Sequence, residues 1–321
     1  MARAIIVHGG AGTIAPERYS SAREGCREAV LAGWRALAGG GSALDAVEAA
    51  IVALENNPRF NAGTGAVLTA DGRAQLDAGI MDGRTLEVGA VAGVERIKNP
   101  IVLARRVLPS PHVLLVGAGA EQFAEEVGLT LCDPADLVIP AQRAHWERGY
   151  RDGDDVNVDA AEPTAQFAGA GLSGMVDLAA SADDEHKHGT VGAVALDDDG
   201  RIVAAASTGG MAAKHPGRVG DTPLVGCGYY AEEGRGGVSS TGHGEDFIRL
   251  LLARRAVEYL GAGCSAQAAA SQAIALLGQR LGGTGGLILL DAEGRVGLAR
   301  NTSAMSCAYM AEGMGAPFAS I

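Results

Sequence analysis

Aromatic residues are scarce: Phe, Tyr and Trp together make up 4% of the chain, too few for base-stacking platforms. Positive charge is in the minority, with 26 Lys and Arg against 38 Asp and Glu and a net charge of -12. That balance argues against nucleic acid or an anionic membrane as a partner. The five cysteines, Cys26, Cys132, Cys227, Cys264 and Cys307, are odd in number and widely spaced, and none forms a CxxC pair. Reduced thiols are expected rather than a disulfide framework. No run of 18 apolar residues occurs, so no transmembrane helix is expected. The first seven residues lack the long apolar region of a signal peptide, which makes a cytoplasmic location the expectation. There is no G-x-S-x-G elbow, which argues against a serine hydrolase. His186, His188, His215 and His243 match no zinc spacing. Residues 117–122 (GAGAEQ) lack the third glycine of a dinucleotide fingerprint and read as a helix start built from small residues.

Glycine, by contrast, is abundant, at 48 of 321 residues against a usual level of roughly 7%. The excess has no collagen period, so it implies many tight turns and close backbone approaches. The length allows one large domain or two and a sizeable core.

Short strands and helices can be read in order. Residues 4–7 form a buried strand that ends in the glycine cluster His8-Gly-Gly-Ala-Gly12. Residues 20–38 place Ala22, Cys26, Val30, Gly33 and Leu37 on one helical face. Ser42 with Asp45 resembles a capping box, opening a helix that runs to about Leu54. Hairpin turns are expected at Ala70-Asp-Gly72 and Met81-Asp-Gly83. A helix over 100–107, a strand over 113–116 and a helix over 119–127 follow. Residues 151–187, rich in Asp, Ala and Gly, read as a flexible exposed linker. After it come a hairpin of 190–196 and 202–207, a helical face of Ile248, Leu251, Leu252, Ala256, Tyr259 and Leu260, a helix capped by Ser265, and a hairpin of 286–290 and 295–299. Recurrent hairpins with little βαβ alternation predict an antiparallel α+β protein whose sheets are covered by helices.

Thr190 lies where a charged, polar approach, Asp184-Glu-His-Lys-His-Gly189, enters a strand of small and β-branched residues. If the Gly189–Thr190 bond is cut, the freed α-amine of Thr190 becomes a base for its own hydroxyl. Such an amine titrates near roughly 7.7–8.0, close to working pH. A plain loop-to-strand junction also suits a threonine. Thr208 ends the hairpin partner and either supports Thr190 or serves a turn. Arg218 and Asp221 sit on a glycine-flanked loop, and together they match the zwitterionic head of an amino acid or make an ordinary ion pair. The Thr241 hydroxyl and the Gly242 N–H suit an oxyanion hole or a helix cap.

Eight ordered blocks then carry a resemblance: His8-Gly-Gly-Ala-Gly12, Ser42-Ala-Leu-Asp-Ala-Val-Glu48, Phe60-Asn-Ala-Gly63, Met81-Asp-Gly83, His188-Gly-Thr-Val-Gly192, Ser207-Thr-Gly-Gly210, Gly217-Arg-Val-Gly-Asp-Thr-Pro223 and Thr241-Gly-His-Gly-Glu245. With them the chain resembles the plant-type L-asparaginase/isoaspartyl peptidase family of N-terminal-nucleophile hydrolases, over nearly its whole length. The resemblance implies an αββα sandwich formed as one inactive precursor. It implies autocleavage between Gly189 and Thr190 into fragments 1–189 and 190–321, and a homodimer of αβ units. It also implies hydrolysis of L-asparagine and β-aspartyl dipeptides with no required cofactor. Thr190 is then nucleophile and base, and Thr208 its support. Arg218 and Asp221 hold the substrate's α-carboxylate and α-amine, Thr241 and Gly242 stabilise the oxyanion with Gly244 close by, and Asn61 lies near the nucleophile. The loop 54–64 is similar to the family's sodium-binding loop, with backbone carbonyls of Leu54, Glu55, Asn57, Phe60, Ala62 and Thr64 as ligands. Two departures bear on substrate preference: His243 stands where a small hydroxyl residue is usual, and Thr284 where an acidic residue is common. A glycan–asparagine amidase, a threonine endopeptidase and a non-catalytic amino-acid-binding protein remain as alternatives.

Overall fold

The computed structural model describes residues 3–149 and 189–321. The expected linker at 151–187, with His186 and His188, lies outside the described residues.

The chain opens with strand β1 (Ala4–Gly12), helix α1 (Tyr19–Ala38) and helix α2 (Ala43–Glu55). The capping box at Ser42 forms as expected: the Ser42 side chain accepts from the Asp45 N–H, and the Asp45 carboxylate accepts from the Ser42 N–H. β1 runs five residues past the expected strand because its glycine cluster continues the ladder through a bulge between His8 and Ala11. There follow β2 (Leu76–Asp82), β3 (Val88–Val94), α3 (Pro100–Val107), β4 (Leu114–Val116), α4 (Gly117–Glu126) and α5 (Pro140–Glu147). Met81-Asp-Gly83 does end the first strand of a hairpin, β2 with β3. Ala70-Asp-Gly72 is a tight turn closed by Thr69 and Arg73, but no named strands flank it.

After the undescribed stretch come β5 (Val191–Leu196), β6 (Ile202–Thr208), β7 (Tyr229–Glu232) and β8 (Gly236–Gly242). The chain then runs through α6 (Gly244–Leu250), α7 (Leu252–Gly261) and α8 (Ala266–Leu281) to β9 (Gly285–Asp291), β10 (Val296–Arg300), β11 (Ala304–Ala311) and β12 (Phe318–Ser320). One expectation is corrected here. The single helical face through Ile248 and Leu251 is broken, because Leu251 adopts a left-handed conformation (φ 51°) and is 53% exposed. The break redirects the chain so that Leu252, Ala253, Ala256 and Val257 become the buried face of α7.

Two sheets form. One has eight strands in the order β12-β11-β1-β5-β6-β2-β3-β4, the other four in the order β10-β9-β8-β7. Every pairing in them is antiparallel except β3 with β4. Strand alternation sorts the apolar side chains into three clusters. Ile5 and Val7 of β1 join α1, α2 and α3. Ala4 and Ile6, on the opposite face, meet Ile288 and Leu290 of β9. Leu287 and Leu289, the alternate residues of β9, pack with α7 and α8. Each Leu or Ile buried in this way contributes about 1.5–3 kcal/mol.

Candidate active site

The site is built across the centre of the large sheet. Val191 of β5 pairs with Ser207 of β6, and Thr208 pairs with Asp77 of β2. Thr190, Thr208 and Asp77 therefore lie in one row across three neighbouring strands. Thr190 is only 8% exposed. Its hydroxyl donates to Thr208 Oγ1 at 3.4 Å and lies 3.4 Å from Thr222 Oγ1. Thr208 Oγ1 also accepts from the Gly210 N–H at 2.9 Å, which fixes its side chain. A hairpin return thus brings Thr208 to Thr190, as the sequence implied. Thr222 sits in a quoted motif, but sequence reasoning assigned it no role. A short β-turn-like return after Asp221 delivers it, with Leu224 N–H bonding Asp221 O at 2.9 Å.

Asn61 lies beside the Gly189–Thr190 junction. Its amide donates to Gly210 O at 2.7 Å and accepts from Val67 N–H at 2.9 Å. The approach is so close that a Cβ on Gly189 would lie 2.0 Å from Asn61 Cβ. Only glycine fits there.

Thr241 and Gly242 end β8, which stacks on β5. The contact is tight at Gly192, where a Cβ would lie 2.0 Å from Ser239 Oγ and 2.4 Å from His8 Nε2. Thr241 Oγ1 accepts from Ala11 N–H at 3.4 Å, which leaves its own proton to donate. His8 is fully buried and bonds Ser239 Oγ through Nε2 at 3.1 Å. Burial lowers its pKa to about 3, so the ring is neutral at any working pH. Gly192→Ala is expected to lower stability by about 1–3 kcal/mol through overpacking. Urea denaturation checks this, and an unchanged midpoint would show that β5 and β8 have slack at this point.

Arg218, Asp221 and Gly244 lie close together. A Cβ on Gly244 would meet Asp221 Oδ1 at 2.9 Å and Arg218 Nη2 at 3.1 Å. Asp221 is buried, and its Oδ2 has no hydrogen-bond partner among the described residues. Burial, opposed by the Arg218 charge, pushes its pKa up to about 7. Arg218 holds Glu245 with one edge of its guanidinium: Nε to Oε1 at 2.9 Å and Nη2 to Oε2 at 2.6 Å.

Two buried charges that no motif signalled belong to this region: Asp77 within the row and Lys214 close to it. Lys214 Nζ donates to Gln75 O at 2.8 Å, and burial lowers its pKa. Asp77 accepts from Gly93 N–H at 2.8 Å, and burial raises its pKa against the opposing pull of Lys214. The strand register alone puts Asp77 beside Thr208.

The loop 54–64 closes through consecutive turns. Carbonyls of Asn57, Phe60 and Ala62 each accept one backbone N–H, at 3.1, 2.9 and 3.2 Å, and that of Leu54 accepts from both Asn56 and Asn57. A carbonyl oxygen that accepts only once keeps a second lone pair. Glu55 anchors the loop, accepting from Ser207 Oγ at 2.6 Å, Asn99 Nδ2 at 3.0 Å and Ile101 N–H at 3.1 Å. Its burial raises its pKa to about 7. Among the described residues no group of three His, Cys, Asp or Glu is placed to hold a metal, and no helix is long and apolar enough to cross a membrane.

The family model described as asparaginase matches residues 1–316. The plant-type L-asparaginase of Pyrococcus abyssi is 47% identical over 321 residues, covering 99% of both chains. The isoaspartyl peptidase of Salmonella typhimurium is 43% identical over 314 residues, covering 95% of this chain and 94% of its own. The isoaspartyl peptidase/L-asparaginase of Danio rerio is 40% identical over 291 residues, covering 90% of this chain and 86% of its own.

Proposed function

Because the chain belongs to the asparaginase family, we propose that it hydrolyses the side-chain amide of L-asparagine and the isoaspartyl bond of β-aspartyl dipeptides, after cutting itself between Gly189 and Thr190. The observation that carries this reading is the buried Thr190 hydroxyl, held between Thr208 and Thr222 at the end of β5. The layered apolar clusters support an αββα sandwich of the N-terminal-nucleophile type. Cutting yields fragments 1–189 and 190–321, which stay together as one αβ unit, and two such units form a homodimer.

In the cut enzyme the Thr190 α-amine removes the hydroxyl proton. Thr190 Oγ attacks the substrate's side-chain carbonyl carbon. The negative charge that develops on oxygen is stabilised by the Thr241 O–H and the Gly242 N–H. The tetrahedral adduct collapses as the C–N bond breaks, and the α-amine passes its proton to the departing ammonia or amino acid. An aspartyl ester on Thr190 remains. Water, deprotonated by the same amine, releases L-aspartate and restores the hydroxyl. Asp221 receives the substrate's ammonium, Arg218 its α-carboxylate, and Gly244 leaves the space both need. Asn61 holds the Gly209–Gly210 backbone in place beside the nucleophile.

No cofactor takes part in these steps. The loop 54–64 suits a sodium ion, since its carbonyls are hard neutral donors with lone pairs to spare. Leu54, Glu55, Asn57, Phe60, Ala62 and Thr64 would hold it, steadying the segment that carries Asn61. The assay is release of aspartate from L-asparagine and from β-aspartyl dipeptides by protein whose mass shows both fragments. Fully cut protein that releases aspartate from neither substrate would sink the reading.

A further inference from the structure

We propose that Glu245, held from behind by His243, is a positioning residue that fixes the plane of Arg218 and so sets the enzyme's selection for an α-carboxylate; this rests on the reading of Arg218 given above.

A guanidinium carries five N–H donors arranged along two edges, each able to grip one carboxylate. Glu245 takes the edge formed by Nε and Nη2, at 2.9 and 2.6 Å. The edge formed by Nη1 and the second Nη2 proton remains. Glu245 and a substrate carboxylate therefore do not compete for the same donors. Glu245 removes the side chain's freedom to rotate about its last torsions and presents the second edge at a fixed angle.

The carboxylate of Glu245 is itself placed. Its Oε2 lies 3.5 Å from His243 Nε2, and the other ring nitrogen, Nδ1, lies 3.2 Å from Asp246 Oδ2. Asp246 in turn meets Arg249 Nη1 at 3.4 Å. The imidazole thus lies between two carboxylates at the start of α6, and with a proton on each nitrogen it donates to both. A small hydroxyl at position 243 lacks the reach to make both contacts. The arrangement is half-sheltered: the Arg218 side chain is 16% exposed and that of Glu245 44%. An ion pair this exposed adds little stability. Its contribution lies in orientation, where a preorganised donor pair saves the ordering cost on binding.

The test compares two ligands of the cut protein by calorimetry. L-aspartate carries the α-carboxylate; β-alanine is the same molecule without it. Glu245→Gln keeps the size but faces an NH₂ group toward Arg218 and loses the charge. It is expected to weaken L-aspartate binding about tenfold and β-alanine binding less than twofold, with KM for L-asparagine rising in step and kcat changing far less. His243→Ser is expected to weaken L-aspartate about two- to threefold by the same route. Tighter L-aspartate binding by Glu245→Gln would overturn the proposal, since Glu245 would then be a competitor for Arg218. So would an equal loss for both ligands, or no loss for L-aspartate in either variant. Wild-type protein that binds L-aspartate but hydrolyses neither substrate would count against the proposed activity and leave this comparison readable.

Discussion

Thr190→Ala leaves the chain uncut at 321 residues and lowers aspartate release from L-asparagine by on the order of 10⁴-fold or more. The substitution removes the attacking oxygen and keeps nearly everything else. The Thr208 hydroxyl retains its bond from Gly210 N–H, and the residue is small enough that the buried junction keeps its packing. In the proposed mechanism both events depend on the same Oγ: attack on the Gly189 carbonyl during maturation, and attack on the substrate afterwards. Both must therefore vanish together. Thr190→Ser restores the hydroxyl and the α-amine and should restore cutting, more slowly, because the β-methyl that limits χ1 is gone. Intact mass under denaturing conditions reads maturation, and a coupled aspartate assay reads turnover. An alanine variant that still yields a fragment starting at residue 190 would remove Thr190 from its role. A cut wild type that is as inactive as the variant would leave maturation standing and reject the proposed hydrolysis.

Asp221→Asn is expected to abolish useful binding of L-asparagine, raising KM about 100-fold or more, while making the protein more stable at neutral pH. A charged partner for a buried ammonium is worth several kcal/mol when one member is removed, and the neighbouring Glu245 carboxylate is already committed to Arg218. The stability gain has a definite sign. Burial raises the Asp221 carboxyl from its ordinary 3.8 to about 7. Below about pH 4 both folded and unfolded chains hold the proton, and this group favours neither. Between about 4 and about 7 the unfolded chain releases the proton and the folded chain keeps it, so stability falls as pH rises through that window. Above about 7 the folded protein bears the full penalty, on the order of a few kcal/mol. Asparagine has no such penalty. The thermal midpoint of the variant should therefore exceed that of wild type at pH 8, with the gap closing toward pH 4. A gap independent of pH, or a variant less stable at pH 8, would show that Asp221 is not held as an unpaired buried acid. In the proposed binding mode an incoming ammonium relieves this penalty.

Much of the local structure was legible from residue pattern. The capping box at Ser42 and Asp45, the helix over 100–107 and the hairpins around residues 197–201 and 291–295 depend on side chains within a few positions of one another. β7, β8, β11 and β12 were not read. β8, Gly-Gly-Val-Ser-Ser-Thr-Gly, has no aromatic residue, and its two β-branched residues, Val238 and Thr241, stand among glycines and serines. It is a strand because it lies between β7 and β9 with its polar side chains paired: Ser240 Oγ donates to Gly228 O at 3.0 Å, and Ser239 bonds His8. The break at Leu251 was equally hidden, since a left-handed leucine costs roughly 1–2 kcal/mol and only packing of α7 on the small sheet repays it.

The sequence by itself determined the class of elements, the antiparallel character of the sheets and the residue types on which the proposed threonine nucleophile and amino-acid clamp rest. Those features follow from short-range periodicity and from motifs whose chemistry is carried by the residues inside them. Only the tertiary structure decided which groups meet. It placed Thr222 against Thr190 across 32 positions, His8 against Ser239 across 231 and Glu245 in the fork of Arg218 across 27. It also buried Asp77, Lys214 and Asp221 deeply enough to shift their protonation. The physical reason is that strand order and stacking set both distance and desolvation, and each is a property of neighbours that lie far away along the chain.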